Sequence, residues 1–385
     1  MKTHTLLESL LLAASTIAGV ASAANAKTCN SYNIPVTVTS TNLVFGLPHF
    51  QTDFDVADFV DTITSRNVTT ASSVIAPGVQ VVTATYNIAA TFCRPGNGKP
   101  DSKKKSTVLI ATHGLGFDKT YWDPQLNKTM YSFTDWAIGQ GYSIFSYDRL
   151  GVGASSRVSG YVAQLSNQVA ILAELTKLVK AGQFVGGTGK PPAVVLLGHS
   201  FGSVISITAL ANNLSIADGI VLTGFSLNKT FVNGLGFAEA GAIRIASFQS
   251  PAKWRRLDTG YLTNADVLTN VATFFKAPDY DPAVAQFAEN TKAPLAVTEL
   301  LTASSITNLP TAFTGPAMIM SGQFDFIFCM SDCDGLLENP GAEVFSHAKS
   351  FKAVSFPGAG HGLNLHLNAA ESFKEITDFL TSNGL

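Results

Sequence analysis

The sequence predicts an α/β protein in which a mostly parallel central sheet is flanked by helices. Segments of strand character alternate with segments of helical character along most of the chain, and the strand-like runs end in Gly, Ser, Asp or His. The chain has 385 residues, of which 46% are hydrophobic and 14% charged, so it can bury one large core. Polar side chains are therefore expected to gather at the carboxyl edge of the sheet, where ligands bind in such folds.

The predicted elements follow in chain order. An early hairpin is expected from IPVTVTSTN (34–42) and VQVVTATYNIAATF (79–92), and a long helix is expected at 161–182, where apolar residues recur at helical spacing. The remaining strands are predicted at 105–114, 141–149, 192–200, 218–225, 315–325 and 351–361. Residues 226–312 contain no convincing strand and are interpreted as a helical cap inserted between two strands of the same sheet.

The formal charge excludes some partners. The sequence has 25 Lys and Arg against 27 Asp and Glu, which leaves a net charge of −2. Binding of nucleic acid or of an anionic lipid surface normally needs a basic excess. A small neutral or apolar ligand is the expected partner, and nothing in the sequence indicates an oligomeric state.

The first residues have the pattern of a cleaved secretory signal. Lys2 precedes an apolar stretch, and small residues follow at 21–23. A membrane anchor or a buried helix is the alternative, but Glu8 interrupts the stretch, which is short for a bilayer. We expect a signal peptide at 1–23, a catalytic domain at 27–385, secretion to the extracellular space, and no stable membrane span.

Secretion favours disulfide bonds among the four cysteines. Three pairings are possible, and we favour Cys29 with Cys93 and Cys329 with Cys333, because the short CMSDC stretch can close on itself. Four free thiols are the alternative. Metal binding is disfavoured because neither CxxC nor paired histidines accompany this stretch.

Four glycosylation sequons indicate the same compartment. They lie at Asn67, Asn127, Asn213 and Asn228.

The stretch VVLLGHSFGSV (194–204) places Ser200 between a predicted strand and a predicted helix. Glycines at 198 and 202 permit a sharp turn that exposes the serine hydroxyl as a nucleophile. An idle serine in a strand-to-helix turn is the alternative. Activation requires a base and a carboxylate, for which His361 and Asp325 follow later predicted strands. Their competitors are His366, Asp332 and Asp334.

Stabilisation of an oxyanion requires preorganised N–H donors. The backbone N–H of Phe201, the residue after the serine, is one candidate, and that of Leu115 in THGLG (112–116) is the second. His113 is expected to hold this loop by hydrogen bonds. DRLGVGASS (148–156) lacks the full pattern of a nucleotide-binding loop, so Asp148 and Arg149 are expected to tie loops together beneath the site. Phe117, Trp122 and the cap aromatics are candidates to line an acyl pocket.

HGLG, DRLGVG, GHSFG, GQFD and GAGH, in this order over about residues 105–365, resemble the α/β-hydrolase superfamily. The leader, cysteines and sequons are similar to secreted fungal-type serine esterase-like members. The resemblance implies an α/β-hydrolase fold, with Ser200 as nucleophile, Asp325 as acid and His361 as base. We therefore expect a secreted serine hydrolase that acts by acyl transfer on a small-molecule ester, lactone or thioester, without metal or organic cofactor.

Two alternatives stay open. An aminopeptidase would need an acidic pocket for the substrate amine, for which the cap offers Glu239, Glu289 and Glu299. A ligand-binding protein could have kept the fold and lost turnover. Epoxide and haloalkane hydrolases carry aspartate at the position of Ser200, which argues against them.

Overall fold

The computed structural model describes residues 27–65, 75–96, 107–228, 230 and 236–385. The predicted signal peptide and the sequon at Asn67 lie outside these residues. None of the described helices has the length and apolar character needed to cross a lipid bilayer.

An eight-stranded sheet forms the centre of the molecule. Its strands are β1 (Lys27–Phe45), β2 (Ile75–Pro95), β3 (Val108–Thr112), β4 (Ser143–Tyr147), β5 (Val194–His199), β6 (Gly219–Thr223), β10 (Ala317–Gly322) and β11 (Phe351–Phe356). They lie side by side in the order β1-β2-β4-β3-β5-β6-β10-β11. Strands β3 to β6, β10 and β11 run parallel, whereas β1 pairs antiparallel with β2, and β2 pairs antiparallel with β4. The predicted fold class is confirmed.

Helices cover the sheet because their apolar faces match its buried surface. The helix predicted at 161–182 is α4 (Leu165–Lys180), in which the apolar positions Leu165, Val169, Leu172 and Leu175 are buried. Leu178 is half-buried, and Val162 lies before the helix and is 41% exposed. The helices before the cap are α1 (Asp53–Thr64), α2 (Lys128–Tyr131), α3 (Phe133–Gly139), α4 (Leu165–Lys180) and α5 (Phe201–Asn212), with a 3₁₀ turn at Lys119–Trp122. After the cap follow α12 (Phe326–Cys329), α13 (Glu338–Val344), a 3₁₀ turn at Leu363–Leu365 and α14 (Ala369–Ser382).

The cap lies between β6 and β10, as predicted, but it is not purely helical. It contains α6 (Gly236–Ala240), α7 (Ala246–Gln249), α8 (Pro251–Trp254), α9 (Val267–Phe274), α10 (Pro282–Thr291) and α11 (Val297–Thr302). A small antiparallel sheet of β7 (Arg244–Ile245), β8 (Tyr261–Thr263) and β9 (Leu295–Ala296) joins them. Strands of two and three residues are too short to leave an alternating pattern in the sequence.

Both predicted disulfide bonds are present. Cys29 in β1 is joined to Cys93 directly opposite in β2, and Cys329 is joined to Cys333 just after α12. The first bond crosses the long antiparallel pair at the edge of the sheet, and the second closes the loop that begins at Asp325.

Candidate active site

Ser200 occupies a strained turn between β5 and α5. Its backbone has φ 55° and ψ −121°, in a region that side chains other than glycine rarely adopt. The flanking glycines permit this turn: a Cβ at Gly198 would lie 2.5 Å from the Cα of Ser203, and one at Gly202 would lie 2.0 Å from the carbonyl oxygen of Thr112. The turn therefore places the Ser200 side chain at the carboxyl edge of the sheet, where it lines a cavity.

His361 and Asp325 meet at the same edge. Nδ1 of His361 lies 2.7 Å from Oδ2 of Asp325, and both side chains are buried. The other carboxylate oxygen, Oδ1, accepts hydrogen bonds of 2.9 Å from the N–H groups of Ile327 and Phe328 in the first turn of α12. Both oxygens of the carboxylate are therefore held by hydrogen bonds: Oδ1 by the backbone of α12 and Oδ2 by the imidazole.

The second nitrogen of His361, Nε2, is buried and has no hydrogen-bond partner among the described residues. Its ring centroid lies 5.0 Å from that of His199, the residue before Ser200, and a Cβ added to Gly224 would approach Cε1 of both rings. Rings of Phe274 and Phe328 stack near His361 at 5.9 and 5.8 Å. These two rings also line the cavity that reaches Ser200.

The competing residues have other contacts. Nε2 of His366 accepts hydrogen bonds from the N–H groups of Gly360 at 2.9 Å and Lys276 at 3.1 Å, so this ring supports the His361 loop and joins it to the cap. Burial lowers the pKa of His366 from 6.5 to about 4. Asp332 and Asp334 are exposed, and Asp334 accepts a hydrogen bond from Ser355. Neither carboxylate is hydrogen-bonded to His361.

The loop after β3 lies against Ser200. A Cβ added to Gly114 would be 2.8 Å from Cβ of Ser200, and Leu115 lines the cavity beside it. Within the described part of the chain, neither the N–H of Leu115 nor that of Phe201 donates a hydrogen bond. Phe201 is also the first residue of α5, whose N-terminal end favours developing negative charge.

His199 is a site residue that the sequence analysis missed. It is fully buried, stacks on Tyr121 at 4.3 Å, and has Nδ1 3.2 Å from Oγ1 of Thr223. Burial and the neighbouring imidazoles lower its pKa well below the ordinary value, so the ring stays neutral beside His361. The only sequence signal for this residue was its place inside GHSFG.

The cavity at Ser200 has a volume of about 410 Å³, and none of the described residues that line it is charged. Phe274 and Phe237 supply the expected cap aromatics, and Phe225 and Phe328 add two more rings. Phe117 packs on Phe274 without lining the cavity, and Trp122 is core, in edge contact with Phe133.

The cap carboxylates do not reach this cavity. Glu299 is buried in an ion pair with Arg149, Glu289 pairs with Lys292, and Glu239 is exposed. Asp148 accepts hydrogen bonds from the backbone N–H and the ammonium group of Lys119, which ties the two loops together as expected. Among the described residues, no group of three or more His, Cys, Asp or Glu could hold a metal ion.

Comparisons with known proteins agree with this architecture. The family model described as "Alpha/beta hydrolase family" matches residues 108–375, which is more than half of the chain. The chain belongs to the alpha/beta hydrolase family. No curated protein matches the sequence.

Three solved structures are similar to this chain at low sequence identity. An esterase from Exiguobacterium antarcticum has 17% identity and a TM-score of 0.50, covering 78% of this chain and 96% of its own. An esterase from Thermogutta terrifontis has 17% identity, a TM-score of 0.48, and coverage of 77% and 93%. A monoacylglycerol lipase from Paleococcus ferrophilus has 16% identity, a TM-score of 0.48, and coverage of 73% and 96%.

Proposed function

We propose that the protein is a secreted serine hydrolase that cleaves a carboxylic ester, lactone or thioester through an acyl-enzyme intermediate. One observation carries the proposal: Nδ1 of His361 lies 2.7 Å from Asp325, whereas Nε2 is buried and has no hydrogen-bond partner among the described residues, in a ring 5.0 Å from that of His199, the neighbour of Ser200. A buried polar atom without a hydrogen bond costs about 1–3 kcal/mol, so its retention favours a role in proton transfer.

The proposed reaction has two acyl-transfer steps. Oγ of Ser200 attacks the substrate carbonyl while Nε2 of His361 accepts the serine proton, and Asp325 stabilises the imidazolium that forms. The N–H groups of Phe201 and Leu115 donate to the oxyanion. The tetrahedral intermediate then expels the alcohol or thiol, which takes the proton from His361. Water activated by His361 attacks the acyl-enzyme and releases the acid.

The cavity favours a neutral, apolar acyl group. Its lining is mainly aromatic and aliphatic, and the exposed hydroxyls of Ser304 and Thr307 lie at its margin. A volume of about 410 Å³ falls in the range of small-molecule sites, roughly 300–1,000 Å³. We propose that the acyl chain packs among Phe237, Phe274 and Phe328 while the carbonyl lies at Ser200.

Three features support secretion, of the kind found in fungal-type secreted esterase-like proteins. They are the signal-like leader at 1–23, the two disulfide bonds, and the sequons. Asn127 and Asn213 are exposed, and Asn228 is half-buried. An oxidising compartment is where such bonds persist.

The two alternatives receive less support. An aminopeptidase needs a carboxylate for the substrate amine, and no cap glutamate lines the cavity. A binding protein without turnover has no need for the strained Ser200 backbone, or for a buried His361 nitrogen that no described residue pairs with.

A fluorophosphonate probe and Ser200→Ala test the proposal. We expect the folded protein to be labelled, labelling to vanish in Ser200→Ala, and ester turnover to fall more than about 10⁴-fold. Ser206→Ala on the same helix is the matched control and keeps labelling. Absence of labelling in folded protein would favour the binding protein.

Nitrophenyl esters of graded chain length provide the substrate for the same assay. Lactones and aminoacyl amides are measured beside them. We expect neutral apolar esters to be preferred, whereas preference for amides with a free amine would support the aminopeptidase.

A further inference from the structure

A network of buried polar side chains lies behind the loop that carries Leu115. Its members are His113, Arg149 and Glu299, and all three are fully buried. Arg149 follows β4, whereas Glu299 lies in α11 of the cap. The ion pair between them therefore joins the cap to the catalytic sheet.

Glu299 fixes the guanidinium group of Arg149. Its carboxylate also accepts hydrogen bonds from Nε2 of Gln168 at 2.7 Å and from the N–H of Ala296 at 3.2 Å. Burial raises the pKa of Glu299, and the charge of Arg149 opposes this effect. Because both groups are buried, separating them would leave each charge without its partner in the interior. The cost of that separation holds the pair in one arrangement.

Two donors from this network converge on the carbonyl oxygen of Gly114. Nδ1 of His113 lies 2.9 Å from that oxygen, and Nη2 of Arg149 donates to it at 3.4 Å. The backbone N–H of Arg149 donates to Nε2 of His113 at 3.1 Å. Since burial and the charge of Arg149 lower the pKa of His113 and keep it neutral, its single ring proton must be on Nδ1.

The Gly114 carbonyl and the Leu115 N–H belong to one peptide group. In a trans peptide these two bonds point in opposite directions, so fixing the carbonyl also fixes where the N–H points. Gly114 packs against Ser200, where that N–H is needed. The guanidinium carbon of Arg149 also lies 5.1 Å from the ring centroid of Phe201, which supplies the other proposed donor.

We infer that His113 and Arg149 are positioning residues for the oxyanion hole, and that Glu299 of the cap holds Arg149 in this role. The inference rests on the proposed function, because it assumes that Ser200 attacks a carbonyl beside Leu115. Hydrogen bonds to the Gly114 oxygen also polarise the peptide and make its N–H a stronger donor. Glu299 of the cap thereby contributes to transition-state stabilisation although it does not line the substrate cavity.

The double variant Arg149→Met/Glu299→Met tests this inference, because it removes both charges together and leaves neither unpaired. We expect kcat for a nitrophenyl ester to fall about 10- to 100-fold while KM changes less than about twofold, since a misaimed donor weakens transition-state binding selectively. The control Lys292→Met/Glu289→Met removes another cap ion pair and leaves kcat unchanged. Thermal unfolding and circular dichroism check that each variant is folded.

If the double variant does not fold, two single variants of His113 test the same inference. The amide nitrogen of Asn takes the place of Nδ1 of histidine, whereas the amide of Gln reaches the place of Nε2. His113→Asn should therefore keep the donor to Gly114 and most of kcat, and His113→Gln should lose about 10-fold or more in kcat.

Equal kcat in His113→Asn and His113→Gln, or unchanged kcat in a folded Arg149→Met/Glu299→Met variant, would overturn the inference. A rise in KM at constant kcat would do the same, because it would indicate a role in substrate binding alone. Retained activity in Ser200→Ala would instead overturn the proposed function, so the two failures are distinguishable.

Discussion

Single glycines decide whether the proposed catalytic groups can approach each other. Gly224 follows β6 and has φ 54°, a conformation that favours glycine. A Cβ at this position would lie 2.7 Å from Cε1 of His199 and 3.1 Å from Cε1 of His361. The missing side chain therefore makes room for both imidazoles beside the serine turn.

Gly224→Ala should lower kcat by about 10-fold or more, because the added methyl displaces His361 and proton transfer depends on hydrogen-bond distance. Gly187→Ala is the matched control: Gly187 also has a positive φ, but nothing lies within 4 Å of its added Cβ. Both variants should lose about 1–2 kcal/mol of unfolding free energy from the left-handed backbone. Steady-state kinetics and thermal unfolding separate the two effects, and equal kcat losses would contradict this role for Gly224.

At the scale of elements, α12 and its disulfide bond hold Asp325. The helix is one turn long, and its N-cap is the Asp325 side chain. A helix this short has little stability of its own, so the Cys329–Cys333 bond at its end keeps the turn closed. The Cys29–Cys93 bond lies in the β1–β2 pair, at the opposite edge of the sheet from β10 and β11.

Removal of the Cys29–Cys93 bond should therefore mainly lower stability, whereas removal of the Cys329–Cys333 bond should mainly lower kcat. Cys29→Ser/Cys93→Ser opens a link between residues 64 positions apart and should cost about 4 kcal/mol of stability, with kcat retained. Cys329→Ser/Cys333→Ser opens a link between residues four positions apart and should cost only about 2 kcal/mol. This second variant should nevertheless lose several-fold in kcat, because Asp325 is less firmly held.

Denaturant unfolding and ester kinetics on both variants provide the check. The idea fails if the Cys29/Cys93 variant loses more kcat than the Cys329/Cys333 variant.

At the scale of the whole molecule, three buried histidines make the fold sensitive to acid. Burial lowers the pKa of His113, His199 and His366. For His366 the folded pKa is about 4 against an ordinary 6.5, so the unfolded chain takes up this proton first as the pH falls. Its contribution to stability is present above pH 6.5 and is lost progressively as the pH falls to about 4.

We expect the free energy of unfolding to decrease between pH 6.5 and pH 4, with about 3 kcal/mol of the decrease due to His366. His366→Gln keeps an acceptor near the N–H groups of Gly360 and Lys276 but does not titrate. Over this pH window, the free energy of unfolding of the variant should therefore decrease by about 3 kcal/mol less than that of the unsubstituted protein. Urea unfolding at several pH values measures the difference. If the free energy of unfolding depends on pH in the same way in both proteins, His366 is not the cause of the decrease.

The sequence predicted much of the architecture because local patterns of apolar residues and glycines indicate strands and turns. Apolar runs located every strand of the central sheet, and the glycines of GHSFG indicated the serine turn. The favoured cysteine pairs followed from the short spacing of Cys329 and Cys333 and from the predicted oxidising compartment. The short strands of the cap escaped this reasoning, because β7 and β9 have two residues each and are stabilised by pairing with β8.

The sequence by itself predicted the fold class and the candidate residues Ser200, Asp325 and His361, since each leaves a local pattern of hydrophobicity or glycine. It favoured the two disulfide pairs without excluding other pairings or free thiols, and the structure contains the favoured pairs. Only the tertiary structure decided what lies around the candidate residues. It placed Glu299 against Arg149 across 150 positions of chain, and within the described ranges it gave Nε2 of His361 no hydrogen-bond partner. Such contacts depend on how the cap packs on the sheet, and no short window of sequence carries that information.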